Sequence, residues 1–321
     1  MTRLVWAEVT RLLSRRFTAV ALIMLLLGLG GYQLVVNDSL SPLTGDELAA
    51  AERGYQETHQ DWVQNHEKYE RDCLDTGGTP SGCTIPEPTP AEFGIEPISF
   101  KEAARTALEL STVLVALVSF LIAASYIGAE YSSGSIANWL TFIPRRSRVF
   151  WSKLITLVGF AVLLGAFGAA VVLAGALAIA RLYGSRIESL RELAEMGGRS
   201  LPAVIGLAVL GFCVALLTRH TAGALGVLLG YAVVWFVRMG ILSQWAWAQR
   251  VTPWTPEGNL AAILENGYRY SVPVERVTPD GVSFEVVEHT VSLIHGAAYW
   301  SILISLAVVF SLLTFRRRDV I

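Results

Sequence analysis

One short segment, residues 130–153, holds most of the residues whose types and spacing could support chemistry. An acid is followed by two small residues, a predicted short amphipathic helix, a proline and a basic cluster. In chain order these are Glu130, Gly134, Ser135, Trp139, Leu140, Pro144, Arg145, Arg148 and Lys153. A compact helix held at a membrane face can dock into a groove of a soluble partner. The same pattern also suits a cytoplasmic loop that only follows the positive-inside rule.

Patterns typical of catalysis and of metal or cofactor binding are missing from the sequence. There is no HExxH, no CxxC and no GxxxxGK[ST], so we expect no metal site, no cofactor and no ATP site in this chain. The net charge of -2 provides no basic surface for nucleic acid. The histidines fall in loops or at membrane edges, at His59, His66, His220, His289 and His295. We therefore expect the chain alone not to be an enzyme.

The elements that position this segment are apolar helices. Hydrophobic residues make up 53% of the chain and charged residues 16%, against about 25% charged in a typical soluble domain. Six stretches reach the roughly 20 apolar residues that a membrane span needs. They are residues 18–36, 107–129, 154–180, 201–217, 222–241 and 296–315. The expected fold is an all-α integral membrane protein with six transmembrane helices, the fourth and fifth forming a tight hairpin.

Basic residues set the expected orientation. With the N-terminus inside, one side of the membrane holds 12 basic and 3 acidic residues, whereas the segment 38–96 on the other side holds 13 acids. Both termini are therefore expected in the cytoplasm, with an amphipathic interfacial helix over residues 2–16 and a tail at 316–321. The first span exceeds a signal-peptide h-region and no A-x-A site follows it, so we interpret it as an uncleaved anchor.

The expected extracytoplasmic segments are residues 37–106, 181–200 and 242–295. The first begins with a capping-box pattern at Thr44 and predicts a helix of about 25 residues. Four large apolar residues recur on it every seven positions, at Leu48, Tyr55, Trp62 and Tyr69. Its Cys73 and Cys83 allow a disulfide in an oxidising compartment, and two free thiols are the alternative. Cys213, in the fourth span, is expected to act as a small apolar residue.

The segment 242–295 predicts a short helix at 259–265 and a β-hairpin whose turn is at 279–281. Arg238, at the outer end of the fifth span, is expected to reach the interface or to pair with an external acid. On the same span, Ala222, Gly226 and Gly230 form a small-x-x-x-small repeat. This spacing suits either a dimer seam or packing within one subunit.

The order Glu130, Gly134-Ser135, Leu140, Pro144, Arg148, Lys153 resembles the coupling-helix region of ATP-binding-cassette (ABC) type-2 permeases. Nearly the whole chain fits this resemblance: an N-terminal connecting helix, six spans, a tight turn between the fourth and fifth, and an external segment before the last. The 63-residue external segment 38–100 is larger than a minimal member of that family needs.

The resemblance implies a bacterial cytoplasmic-membrane exporter subunit. Such permeases pair with a second copy or a related permease and couple to separate ABC ATPase subunits that bind the ATP. It implies that residues 130–153 receive the ATPase, with Glu130 as a hinge or ion-pair anchor and the arginines at lipid phosphates or ATPase acids. It also places the dimer seam on the fifth span.

Two other functions are weighed against the exporter. An ion-coupled transporter usually shows ionisable groups and broken helices near the midplane, and the spans here are smooth and apolar. A sensing or scaffold subunit that associates with an ATPase and moves nothing is also compatible, because the acidic external segment could read a ligand.

Overall fold

A computed structural model describes residues 2–76, 83–136, 141, 145–242, 245–278 and 281–317. In chain order its elements are α1 (Thr2–Leu13), α2 (Arg16–Leu40), α3 (Gly45–Asp75), α4 (Phe100–Ser132), α5 (Arg146–Leu182), α6 (Leu190–Thr218), α7 (Thr221–Gly240), α8 (Ala246–Arg250), α9 (Pro256–Leu264), β1 (Tyr268–Thr278), β2 (Gly281–Val291) and α10 (Leu293–Arg317). Six of these helices are long and apolar enough to cross a membrane: α2, α4, α5, α6, α7 and α10. The prediction of a helical multi-pass membrane protein with six spans is confirmed at this level.

The six long helices alternate in direction, which gives the bundle two ends. The α1 end carries α1, residues 133–136 and 145, the α6–α7 turn and the end of α10, where Arg146 Nη1 donates to Phe315 O at 3.3 Å. The hairpin end carries α3, α8, α9 and the two strands. There Lys101 in α4 pairs with Glu192 in α6 at 2.8 Å.

Helices α4 and α6 form the centre of the bundle. In the most apolar stretch of α4, 67% of the residues are buried, against 6% in α7. The two central backbones approach closely, because a Cβ on Gly211 of α6 would lie 2.4 Å from the carbonyl oxygen of Phe120. Only glycine fits this contact. Helix α7, in contrast, lies on the outside of the bundle.

Most of the spanning helices are longer than the apolar stretches that predict them. Helix α4 begins at Phe100, where Ser99 caps it by accepting a hydrogen bond from the Glu102 amide. Helix α5 begins at Arg146, so the end of the predicted loop 130–153 is helical. Helix α6 likewise covers residues assigned to the loop 181–200. Hydropathy marks the part of a helix that lies within the hydrocarbon core of a bilayer, whereas backbone hydrogen bonding continues beyond it.

The predicted tight turn between the fourth and fifth spans is present. Only Arg219 and His220 separate α6 from α7, and Arg219 has a left-handed backbone with φ +60°. Thr218 Oγ1 donates to the His220 carbonyl at 3.0 Å. The start of α7 also contacts α4 closely, because a Cβ on Gly128 would lie 2.4 Å from the Thr221 backbone nitrogen.

Helix α3 is an extended arm with no buried residue. It has 31 residues where the sequence predicts about 25, which corresponds to roughly 46 Å of helix. The predicted capping box does not form, since Thr44 makes no side-chain hydrogen bond to the helix. We call residues 83–97 the strap, because they return along α3: Trp62 Nε1 donates to Ile85 O at 2.9 Å.

The two strands form the predicted antiparallel hairpin, with Tyr268 opposite Val291 and Thr278 opposite Gly281. Positions 279 and 280 of the predicted turn lie outside the described residues. The short helix before the strands is α9, three residues earlier than predicted, because Thr255 caps it and accepts from the Gly258 amide. Strand β1 lies beside α8 and α9, so the hairpin has the support that an isolated pair would lack.

Candidate functional site

A cluster of buried charges joins three helices at the α1 end of the bundle. Lys153, in the second turn of α5, lies between two carboxylates, with its Nζ 2.9 Å from Glu8 Oε2 and 2.7 Å from Glu130 Oε2. Glu8 belongs to α1 and Glu130 to the last turn of α4. All three side chains are at most 3% exposed. We call Glu8, Glu130 and Lys153 the buried triad.

Tyr126 and Arg15 contact the triad closely, and Arg11 lies farther away, 3.9 Å from Glu130 Oε1. The hydroxyl of Tyr126, itself fully buried in α4, donates to Glu8. Arg15, between α1 and α2, lies 3.5 Å from Glu130 and donates to the Ser125 carbonyl at 3.0 Å. Both cations face the same aromatic ring, with Arg15 5.1 Å and Lys153 4.9 Å from the Tyr126 centroid. Residues 8–15 are therefore tied to α4 by charge as well as by packing.

The triad is held in place but is not saturated by hydrogen bonds. Glu8 Oε1 has no hydrogen-bond partner among the described residues. The contact between Glu130 Oε2 and Lys153 is an ion pair without hydrogen-bond alignment. Buried charges are expensive to desolvate, and removing one partner of such a group typically costs about 3–5 kcal/mol. Each member therefore depends on the others, and the three helices are coupled through them.

The sequence pattern pointed to two members of the triad and missed the third. Glu130 and Lys153 are both on the predicted coupling segment, and the structure brings them together. From the sequence, Glu8 was counted only as one of three acids on the side of the membrane that is rich in basic residues. It lies one turn before Leu12, and this pair forms the buried face of α1, whereas Trp6 points away from the protein at 73% exposure. The available signal was the spacing of Glu8 and Leu12. Residues four apart share one face of a helix, so the acid lies on the same face as an apolar residue.

The small residues after Glu130 form the turn that ends α4. Gly134 has a left-handed backbone with φ +68°, a conformation that glycine adopts without strain. Ser135 Oγ donates to the Glu130 carbonyl at 3.4 Å, and the Ser133 hydroxyl donates to the Ser135 oxygen at 3.2 Å. Gly134 and Ser135 therefore fix the direction in which the chain leaves the triad.

The other predicted coupling residues are not part of the triad. Trp139, Leu140 and Pro144 lie outside the described residues. Arg145 and Arg148 are exposed at the start of α5. We call residues 133–145 the coupling loop; it leaves α4 three residues after Glu130 and enters α5 eight residues before Lys153.

The predicted dimer-seam residues face outward. Ala222, Gly226 and Gly230 are all exposed on α7, and a Cβ added to Gly226 or Gly230 would meet no atom within 4 Å. The alternative interpretation was that these residues pack within one subunit. In the described part of the chain they do not.

The two cysteines of the arm form a disulfide, with a sulfur separation of 2.09 Å. It joins the last turn of α3 to the start of the strap. The aromatic residues that recur on α3 face the strap in part: the rings of Tyr55 and Phe93 are 5.8 Å apart, and His59 pairs with Glu87 at 2.9 Å. The arm is therefore stabilised largely by its own residues.

The charged side chains at the hairpin end are more exposed than those of the buried triad. Arg238 pairs with Glu257. Of the two expectations for Arg238, pairing with an external acid is therefore the one that the structure shows. Arg105 in α4 contacts Glu265 at 2.9 Å. Burial raises the pKa of Glu265, and Arg105 opposes that shift. These contacts hold α9 and its flanks on the ends of α4 and α7.

Comparison of the chain with protein-family models, with curated proteins and with solved structures gives no match. The function is therefore argued from the residues and their geometry.

Proposed function

We propose that this chain is the membrane subunit of an ATP-driven ABC exporter. In this proposal it forms the translocation path in the bacterial cytoplasmic membrane with both termini in the cytoplasm, and it binds no ATP itself. A separate ATPase docks on the coupling loop. A second permease copy, or a related permease, packs on the other side of the path.

The buried triad is the observation that carries the proposal. A soluble motor that pushes on the coupling loop must move the spans and not merely bend a surface loop. The loop follows α4 three residues after Glu130 and leads into α5 about two turns before Lys153, and these two residues are paired with each other at 2.7 Å. A displacement of the loop would therefore reach α4 and α5 together, and Glu8 would pass it to α1. A tightly packed contact between these helices is what supports mechanical coupling in this proposal.

The outward position of Ala222, Gly226 and Gly230 supports a permease pair. Small residues allow two helices to approach closely in a membrane, where packing and not the hydrophobic effect drives association. Helix α7 exposes these three residues on a surface that its own subunit does not cover.

Co-expression with the ATPase encoded beside its gene tests the proposal. We expect purification of the tagged chain to yield a complex of two permease and two ATPase subunits that hydrolyses ATP. Trp139→Asp places a charge on the predicted docking face, so it should abolish complex formation or reduce hydrolysis at least tenfold. Arg186→Asp, on an exposed residue of the α5–α6 connection at the hairpin end, is the matched control and should leave both unchanged. A complex that withstands Trp139→Asp would contradict the docking site.

A sensing or scaffold subunit is the second candidate, and the arm is the observation that favours it. A 31-residue helix closed by a disulfide and a strap is more than a path across the membrane needs. An ATPase complex that hydrolyses ATP in response to an external ligand, with no material moved in sealed vesicles, would support this candidate over the exporter.

A further inference from the structure

A cavity lined by both charged and apolar residues lies at the hairpin end, between the end of α7, helices α8 and α9, and strand β1. Its volume is about 500 Å³, within the roughly 300–1,000 Å³ of small-molecule sites. Arg238 and Glu257 form one wall, and residues 268–271 of β1 form the opposite wall. Neither the coupling loop nor the buried triad contributes to it.

The charges of this cavity leave one cation available. Glu257 accepts hydrogen bonds from Arg238 and from the hydroxyl of Tyr231, and Arg238 also donates to the Ala248 carbonyl at 3.2 Å. The Arg238–Glu257 pair is thus satisfied within the protein. Arg269 also lines the cavity, is exposed, and forms no ion pair with any residue that the structure describes. The net charge of the cavity is therefore positive, and its free charge is Arg269.

Strand β1 contributes a rigid polar and aromatic wall. Within the described part of the chain it pairs only with β2, so the opposite edge of residues 268–271 presents backbone groups towards the cavity. The rings of Tyr268 and Tyr270 are nearly parallel, with centroids 6.4 Å apart. Side chains alternate along a strand, so Tyr268 and Tyr270 lie on one face of β1 and Arg269 on the other. A ligand along this edge would have aromatic surface on one side, the cation on the other, and backbone groups between them.

One side of the cavity continues into apolar surface that faces the membrane. Met239 lines the cavity and is 48% exposed, and it follows the outward-facing Phe236 on α7. Exposed tryptophans at Trp245 and Trp247 flank the same region, which is typical of the membrane–water interface. A ligand with a polar head in the cavity could therefore extend an apolar chain along α7.

We propose that this cavity binds the acidic headgroup, a phosphate or carboxylate, of an amphipathic molecule whose chain lies along α7. Arg269 makes the charge-assisted contact, Arg238 and Glu257 form the opposite wall, and the edge of β1 donates to the remaining oxygens. This binding needs no ATPase, so the inference stands apart from the proposed function. Such a ligand could come from the bilayer itself or arrive as a free amphiphile.

Equilibrium binding of dodecyl phosphate to the full chain in phosphatidylcholine nanodiscs tests the inference. We expect saturable binding that Arg269→Gln weakens about tenfold, the loss typical of a charge-assisted hydrogen bond, and that Arg269→Lys partly restores. Arg191→Gln, an exposed arginine at the same end, is the control and should bind as the unchanged chain does. Dodecyl maltoside, which has the same chain and no charge, should not compete.

Equal binding by Arg269→Gln and the unchanged chain would overturn the inference, as would equal competition by dodecyl maltoside. Nanodiscs of equal parts phosphatidylglycerol and phosphatidylcholine identify the source of the ligand. Loss of dodecyl phosphate binding there would support the proposed site with a bilayer lipid as its occupant. Unchanged binding there would support the same site with a free amphiphile as its occupant.

Discussion

The two ends of the bundle use charge in opposite ways. At the α1 end, Lys153 and its two carboxylates are almost completely buried and tie together α1, α4 and α5. At the hairpin end, Lys101 and Glu192 pair at a similar distance of 2.8 Å, but their side chains are 40% and 57% exposed. Distance alone would rank these contacts as equal.

Burial decides what each contact can do. Exposed pairs are screened by water and salt and contribute little to stability. A buried group cannot exchange its partner for water, so its helices move together or the charges separate at high cost. We infer that the α1 end is built to transmit displacement, whereas the hairpin end is built to hold accessory elements on the bundle.

The largest expected effect comes from Lys153. Lys153→Met leaves Glu8 buried without its cation and leaves Glu130 with the more distant Arg11 and Arg15. We therefore expect the free energy of unfolding in detergent to fall by about 3–5 kcal/mol. Lys101→Met is the matched control at the other end, and its unfolding midpoint should not change measurably. Equal effects of the two substitutions would break the comparison.

A smaller, local effect is expected in the arm. Replacing both Cys73 and Cys83 by serine should reduce the stability of α3 and the strap by roughly 2–4 kcal/mol. Hydrogen exchange should increase over residues 45–76 and 83–97 and remain unchanged around the buried triad. Faster exchange at the α1 end would show that the two ends are not independent.

The smallest expected effect is a pH dependence at the hairpin end. Burial raises the pKa of the Glu265 carboxyl above its value in the unfolded chain. The protonated carboxyl therefore stabilises the fold fully at a pH below the unfolded-state pKa of Glu265. This stabilisation is lost as the pH rises through the folded-state pKa. Glu265→Gln removes this loss, so its unfolding midpoint should rise relative to the unchanged chain over that range. A constant difference at every pH would contradict the shift.

Local patterns predicted the elements but not their contacts. Long apolar runs predicted the six spans, and alternation predicted the hairpin of β1 and β2. The pairing of Cys73 with Cys83 was open because sequence spacing does not define geometry. Helix ends were misplaced where polar residues continue a helix beyond the membrane, as in the first two turns of α5.

The buried triad shows why the site was only half predicted. Glu130 and Lys153 belong to one segment, so their order along the chain was informative. Glu8 is 145 residues from Lys153, and its burial follows from how α1 packs on α4 and α5. Tyr126 lies inside an apolar run, where its hydroxyl gave no signal until Glu8 was placed beside it.

The central claim is that the triad couples the coupling loop to the spans. Its most direct test is the distance between spin labels at Leu182→Cys, an exposed position at the far end of α5, in two copies of the chain bound to the ATPase. We predict that trapping the ATPase with ATP and vanadate shifts this distance in the unchanged chain. The shift should disappear in Glu130→Gln, which keeps the side-chain volume and the bound ATPase but loses the charge that pairs with Lys153. An equal shift in Glu130→Gln would contradict the claim.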